Sequence, residues 1–213
     1  MRRRAVVVIL FALAGCRTTR PPNAEPLSPL TSTSPSEAER QLAARRSQFR
    51  GERSLIRLRL PQISARGQLQ VDADGRTLIT VYSPIGTTVA RLYVDGDDVV
   101  FLNDLQNTAW RGKASQLIGT LGMFGNARLP FLLIGLPAAG VHNVTYAPTG
   151  MQTAPLADVM VTYDPPVYPP KRVAVDRGAQ HVEIEHLESF VDPQPLKPLE
   201  IPRDYQCCVL PQM

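Results

Sequence analysis

Cysteine, tryptophan and histidine are scarce in this 213-residue chain, at three, one and three residues, and aromatics make up only 6%. Of the cysteines, Cys16 stands near the start, while Cys207 and Cys208 are adjacent near the end. Adjacent cysteines pair with each other only under strain, so a disulfide framework is not expected. The pair reads as part of a mobile tail or as a site for an intermolecular disulfide. There is no Gly-rich phosphate loop, no Cys-x-x-Cys and no Gly-x-Ser-x-Gly. His142 follows a predicted turn, and His181 and His186 fall on opposite faces of a predicted strand, so they cannot form a metal pair there. Glu183 and Glu185 share a face with His181 and read as a solvated polar face. Asp95, Asp97 and Asp98 around Gly96 resemble a calcium loop only loosely, because the ligand at the far end of such a loop is missing. A hydrolase would need a nucleophile and a base close together, and no motif supplies them. Neither an enzyme nor a metal site is expected.

Long apolar runs are also missing. The one that stands out, Val6–Leu13, is too short to span a bilayer, which takes about 20 residues. It follows Arg2, Arg3 and Arg4 and precedes the small residues Ala14 and Gly15, the layout of a secretory signal. Leu13-Ala14-Gly15-Cys16 resembles the lipobox of bacterial lipoproteins. That resemblance implies cleavage before Cys16, with S-diacylglycerol and N-acyl groups on that residue and no other cofactor. Several acyl chains at about 0.8 kcal/mol per buried methylene make a lasting anchor. The formal charge of +4 includes the three leader arginines, so the mature chain stands near 4 − 3 = +1. Nucleic acid is therefore not an expected partner. Arg17 follows the lipidated cysteine where an inner-membrane retention signal would have an aspartate, which favours the periplasmic face of the outer membrane.

The expected organisation is a leader over 1–15, the lipidated cysteine and a Pro/Ser/Thr tether over 16–35, a domain over 36–192 and a proline-rich tail over 193–213. Ser34, Pro35 and Glu37 mark a helix start that should run to about Ser47. From Leu55 the apolar period becomes two: Ile56, Leu58 and Leu60 alternate with Arg57 and Arg59, and Leu69 and Val71 with Gln68 and Gln70. Turns at 72–75, 83–86 and 95–98 separate strands at Thr77–Tyr82, Thr87–Val94 and Val99–Asn103, with a further strand near Thr108–Arg111. Helices are predicted over Ala114–Leu121 and Pro130–Pro137. Strands resume at Val141–Tyr146, Asp158–Tyr163, Lys171–Asp176 and Gln180–His186, and the proline-rich loop 164–170 cannot be a central strand. The expected fold is mainly β with helices (α+β), an open, strongly curved antiparallel sheet of eight or nine strands. The helices either cover a cavity for an acyl chain or fill the core. The residues in question are Leu117, Ile118, Leu121, Phe131, Leu132, Ile134 and Leu136, with Trp110 on the sheet.

The turn Ser83-Pro84-Ile85-Gly86 carries an unusual residue. Pro84 and Gly86 suit a turn, but a β-branched apolar residue at a hairpin tip has little to pack on. Ile85 either folds back on the sheet or presents an apolar tip to a membrane.

This order of parts resembles the LolB family of outer-membrane lipoprotein receptors over roughly residues 37–192. The local matches are Leu78–Gly86 with its Ser-Pro-Ile-Gly turn, Leu117–Met123, Leu132-Leu-Ile-Gly-Leu-Pro137, Met160–Tyr163 and Arg172–Leu187. The resemblance implies a half-barrel sheet with helices over its mouth. It implies an apolar cavity that takes the acyl chains of client lipoproteins from a soluble LolA-like carrier. Those chains are then released into the outer membrane with help from the apolar residue of the protruding turn, here Ile85 between Pro84 and Gly86. A monomer is expected. The alternative is a structural or assembly lipoprotein that uses the same fold as an interaction platform. The sparse aromatics and the tail bearing Cys207 and Cys208 depart from the family pattern.

Overall fold

A computed structural model describes residues 40, 43–61, 63–116, 129–136, 145–147, 150–156, 159–164 and 169–207. Cys16, the tether, the helix start at 34–37, Leu117, Ile118, Leu121, His142 and Cys208 lie outside the described residues. The described strands are β1 (Gly51–Leu60), β2 (Ile63–Asp72), β3 (Thr77–Tyr82), β4 (Thr88–Asp95), β5 (Asp98–Asn103), β6 (Thr108–Lys113), β7 (Thr145–Ala147), β8 (Gly150–Leu156), β9 (Val159–Asp164), β10 (Arg172–Arg177), β11 (Gln180–Val191) and β12 (Gln206–Cys207). They form a single open, curled sheet in the order β12-β6-β5-β4-β3-β2-β1-β11-β10-β9-β8-β7. Every pairing is antiparallel except β12 with β6, which is parallel.

Twelve described strands replace the expected eight or nine. β1 starts at Gly51 rather than Leu55, because the polar residues Glu52 and Ser54 continue its inward-facing row. β11 runs on to Val191 after a register shift opposite Leu55/Ile56. β8 was not anticipated: Gly150–Leu156 has no alternating apolar residues to mark it.

The period-two rows of β1–β6 and β9–β11 point into one concavity, where Ile56, Leu69, Ile79, Leu92, Val99, Trp110, Val161, Val173 and Ile184 join one core. In the middle of that core lies the short helix α1 (Leu129–Leu133), with Pro130 in its first turn as its fixed φ predicts. Gly135 donates its N–H to the Leu132 carbonyl at 3.1 Å, and Leu136 donates to the Phe131 carbonyl at 2.8 Å. With Gly135 at φ +82° this is a Schellman cap, which accounts for the Ile-Gly-Leu-Pro step in the sequence. Of the other predicted helix, the described part is a 3-10 turn over Ala114–Gln116.

The opposite face of the sheet divides in two. Over β1, β10 and β11 it is a charged lattice: Arg57 donates to Glu185 at 2.6 Å, and Arg59 to Glu183 at 2.9 Å. Over β3–β6 it is apolar, and the C-terminal segment covers it. Leu196, Leu199, Ile201 and Tyr205 pack on Leu78, Tyr93, Val100, Leu102 and Ala109. The segment after residue 192 is thus a strap rather than a mobile tail, as far as Cys207 in β12. Proline suits such a strap, because an extended chain lying across a sheet face needs few backbone donors. Tyr205 closes it by donating to Asp104, which Arg91 also grips through Nη2 and, at 3.1 Å, Nε. Burial alone would raise the Asp104 carboxyl, but the hydrogen bonds from Arg91 and Tyr205 outweigh it and hold the group below its ordinary value.

Gly135 is both at positive φ and close to Pro170, whose Cδ a Cβ there would approach to 2.5 Å. Gly135→Ala should therefore destabilise by about 2–4 kcal/mol, combining left-handed strain with overpacking. Tyr163→Phe, which leaves the Leu132 carbonyl its bond from Gly135, should cost about 1 kcal/mol. Urea unfolding midpoints of the two variants would check this order.

Candidate functional site: a hairpin tip and the concave face

β3 and β4 are joined by a three-residue loop. Ser83 donates its N–H to the Thr87 carbonyl at 2.8 Å, and Gly86 donates to the Ser83 carbonyl at 2.9 Å. Gly86 sits at φ +85°, as this loop type requires at its third position. The Ser83 and Thr87 hydroxyls lie 2.7 Å apart and brace the neck. Ile85, between Pro84 and Gly86, is 86% exposed and so does not fold back on the sheet. Two backbone hydrogen bonds, the hydroxyl contact and the left-handed Gly86 thus hold one apolar side chain out in solvent. A Cβ added at Gly86 would meet nothing within 4 Å, so the tip stands clear of the fold.

On the concave side, Leu132, Ile134 and Leu136 are fully buried and Trp110 is nearly so. Phe131 is partly buried and meets Phe49 edge to face, with ring centroids 5.6 Å apart. Of the cavity or lid candidates, Phe131, Leu132, Ile134, Leu136 and Trp110 share one core around α1, whereas Leu117, Ile118 and Leu121 lie outside the described residues; α1 packs against the sheet rather than standing over it. The tip at Ile85 and this core occupy different parts of the molecule.

A buried polar set at the β1/β11 pair has no signal in the sequence beyond polar residues in inward register. Ser54 donates to Glu52 at 2.6 Å, which leaves Ser189, 2.7 Å from Ser54, to donate in turn. His186 Nε2 donates to the Leu133 carbonyl at 2.9 Å, because a carbonyl can only accept. Its Nδ1, 4.0 Å from a Glu52 carboxylate oxygen, has no hydrogen-bond partner among the described residues. This is not a Ser–His–acid relay: the Ser54 proton goes to the carboxylate, and the imidazole is tied to backbone. His186 and His181 do face opposite ways, His181 being exposed and 2.6 Å from Asp176.

No protein-family model and no curated protein matches the chain. Among solved structures, it is similar to an uncharacterised conserved protein from Thermus thermophilus (10% identity, TM-score 0.41, 79% of this chain and 97% of that one). It is similar to a LolA superfamily protein from Nitrosomonas europaea (10% identity, TM-score 0.43, 78% and 96%). It is also similar to a DUF1329 family protein from Desulfovibrio piger (10% identity, TM-score 0.44, 75% and 94%).

Burial lowers the His186 pKa to about 4 from 6.5, with the Leu133 bond opposing the shift. The folded state thus binds this proton more weakly than the unfolded state. Its stability contribution is complete above pH 6.5 and is lost as pH falls from there toward 4. Chemical denaturation of the parent should show that slope, and His186→Gln should flatten it.

Proposed function

We propose that this protein is a lipid-anchored receptor of the outer membrane that takes acyl chains of other lipoproteins into its concave face and passes them into the bilayer beside Ile85. The observation that carries the reading is the tip itself. A hydrogen-bonded loop keeps a large β-branched side chain 86% exposed, at a cost that water alone does not repay. Full burial of such a side chain is worth about 2 kcal/mol, and a bilayer edge would supply it. Cys16 holds the domain at the periplasmic face of that membrane, residues 17–35 give it reach, and a soluble LolA-like carrier is the expected donor. No bond is made or broken in this scheme. The acyl chain leaves a protein surface for a bilayer in which every methylene is buried.

A second reading, an assembly platform without lipid transfer, draws on the packing of α1. Leu132, Leu133, Ile134 and Leu136 already occupy the concavity. Native mass spectrometry of the mature chain carrying Cys16→Ser separates the two. Co-purified lipid favours the receptor, and a consistently empty protein favours the platform.

Ile85→Glu should leave folding stability within about 0.5 kcal/mol of the parent, as expected at an exposed site. In cells whose single copy is this variant, newly made lipoproteins should fail to reach the outer membrane. Normal sorting there would refute the receptor.

A further inference from the structure

The sheet's register sorts its loops into two ends. β1 runs toward one end and β2 away from it, so the loops β1–β2, β3–β4, β5–β6 and β10–β11 share one end, and β2–β3 and β4–β5 share the other. The four large apolar side chains most exposed among the described residues are Ile63 (58%), Ile85 (86%), Leu105 (73%) and Met160 (41%). Each lies at the first end. Ile63 pairs with Leu60 across the β1–β2 loop. Ile85 crowns the β3–β4 loop, and Leu105 follows Asp104 in the β5–β6 loop. Met160 is opposite Asp176, one residue before β10 reaches its own loop. Neighbouring hairpin tips two strands apart stand about 10 Å from each other, so Ile63, Ile85 and Leu105 form a row.

That row is held in place. Leu60 and Ile63 close a two-residue loop. In the β5–β6 loop, Asn103 Oδ1 accepts the backbone N–H groups of Leu105 at 3.1 Å and Gln106 at 3.2 Å. Charge divides the same way. The loops of the far end and their flanking residues carry Asp72, Asp74, Asp95, Asp97 and Asp98. Counted the same way, the apolar end carries three acids: Asp104, which Arg91 and Tyr205 both hold, Asp176, which meets His181, and Asp158 before β9. Arg66, paired with Tyr82 just before the neck of the β3–β4 loop, is exposed at this end.

We infer that this whole end, and not the Ile85 tip alone, is a membrane-docking edge, with Ile63, Ile85 and Leu105 entering the interface of an anionic bilayer while the acidic end faces away. The inference rests on the reading of Ile85 as a membrane-contacting residue and adds two residues and an orientation to it. A bilayer fits better than a protein partner because the exposed residues are separate hairpin tips at one end of the sheet, and because more of the acids at the loops lie at the opposite end.

The test uses residues 16–213 carrying Cys16→Ser, so that no covalent lipid contributes, floated with vesicles of phosphatidylethanolamine and phosphatidylglycerol at 3:1. The parent should bind. Ile63→Glu and Leu105→Glu should each weaken binding by about tenfold or more, with unchanged thermal unfolding. Ala73→Glu, exposed in the β2–β3 loop at the far end, should have no effect. The inference falls if the parent does not bind, if both tip variants bind like the parent, or if Ala73→Glu weakens binding as much as they do. It also falls if the parent sediments as a dimer without vesicles and the tip variants do not, because the edge then pairs copies of this chain. Its failure is separable from that of the receptor. Tip variants that bind like the parent, beside an Ile85→Glu variant that stops client sorting, remove the docking edge and keep the receptor. Vesicle binding as expected, with no acyl chain ever carried, does the reverse.

Discussion

Two carbonyls at the end of α1 decide how the concave face is filled. A helix end leaves its last carbonyls without intrahelical partners, and inside an apolar core water cannot serve them. The Leu132 carbonyl accepts from Gly135 within the cap and from the Tyr163 hydroxyl of β9 at 2.9 Å. The Leu133 carbonyl accepts from His186 of β11. Each donor is itself buried and could not be left unpaired at small cost. Burial pushes the Tyr163 hydroxyl pKa far up, so it remains a donor, and pushes the His186 imidazole down, so it stays neutral with its one proton on Nε2. The aliphatic side chains of α1 supply the affinity for the concavity, and these two bonds fix its position. From there the consequences spread outward. Phe131 reaches Phe49 and the β2–β3 turn, and Pro170 is pressed against Gly135.

The parts of this arrangement that obey a period were legible in the sequence. Thr77–Tyr82 has the bounds expected of it because a run of β-branched, aliphatic and aromatic residues fills the space between two turns. The half-barrel follows from many such strands joined by tight loops. What escaped notice has no periodic mark. Glu52 and Ser54 are polar, so they seemed to precede β1, yet they lie inward because Ser189 and His186 face them across the β1/β11 pair. β12 is two residues long and is defined by its position beside β6, which depends on the strap. The strap had the composition of a disordered tail. Its four apolar side chains, Leu196, Leu199, Ile201 and Tyr205, are spaced to suit the outer face of β3–β6, and that face looked solvated when read strand by strand. At the candidate site, the oddity of Ile85 was visible from residue type alone, whereas Ile63 and Leu105 became notable once the register put them beside it.

The strap also links the two themes of the molecule. Its closing residue, Tyr205, holds Asp104, and Asp104 begins the loop that displays Leu105. A segment that covers apolar surface on the outer face thereby braces one of the exposed tips. The same carboxylate is paired with the Arg91 guanidinium, which offsets a charge that an anionic surface would disfavour in that loop. Packing and surface character are set by a single hydrogen-bonded group.

Under the receptor reading, the packed α1 imposes a definite requirement on lipid uptake. An acyl chain must take the place of Leu132, Leu133, Ile134 and Leu136, whose burial is worth about 8 kcal/mol at about 2 kcal/mol each. Losing the bonds from Tyr163 and His186 adds about 2 kcal/mol. A chain of about 16 carbons gains about 13 kcal/mol on full burial, somewhat more than the sum of about 10. Exchange between helix and chain is then close to balanced, which suits a transfer protein: a site that held the chain much more tightly would not release it. The two bonds to α1 bear on this balance directly, because they move the helix as one unit rather than residue by residue. The bilayer tips the exchange. Once the chain is in the membrane it keeps its burial, and α1 regains its own by returning to the concavity, so both apolar surfaces end up covered only when the chain has left.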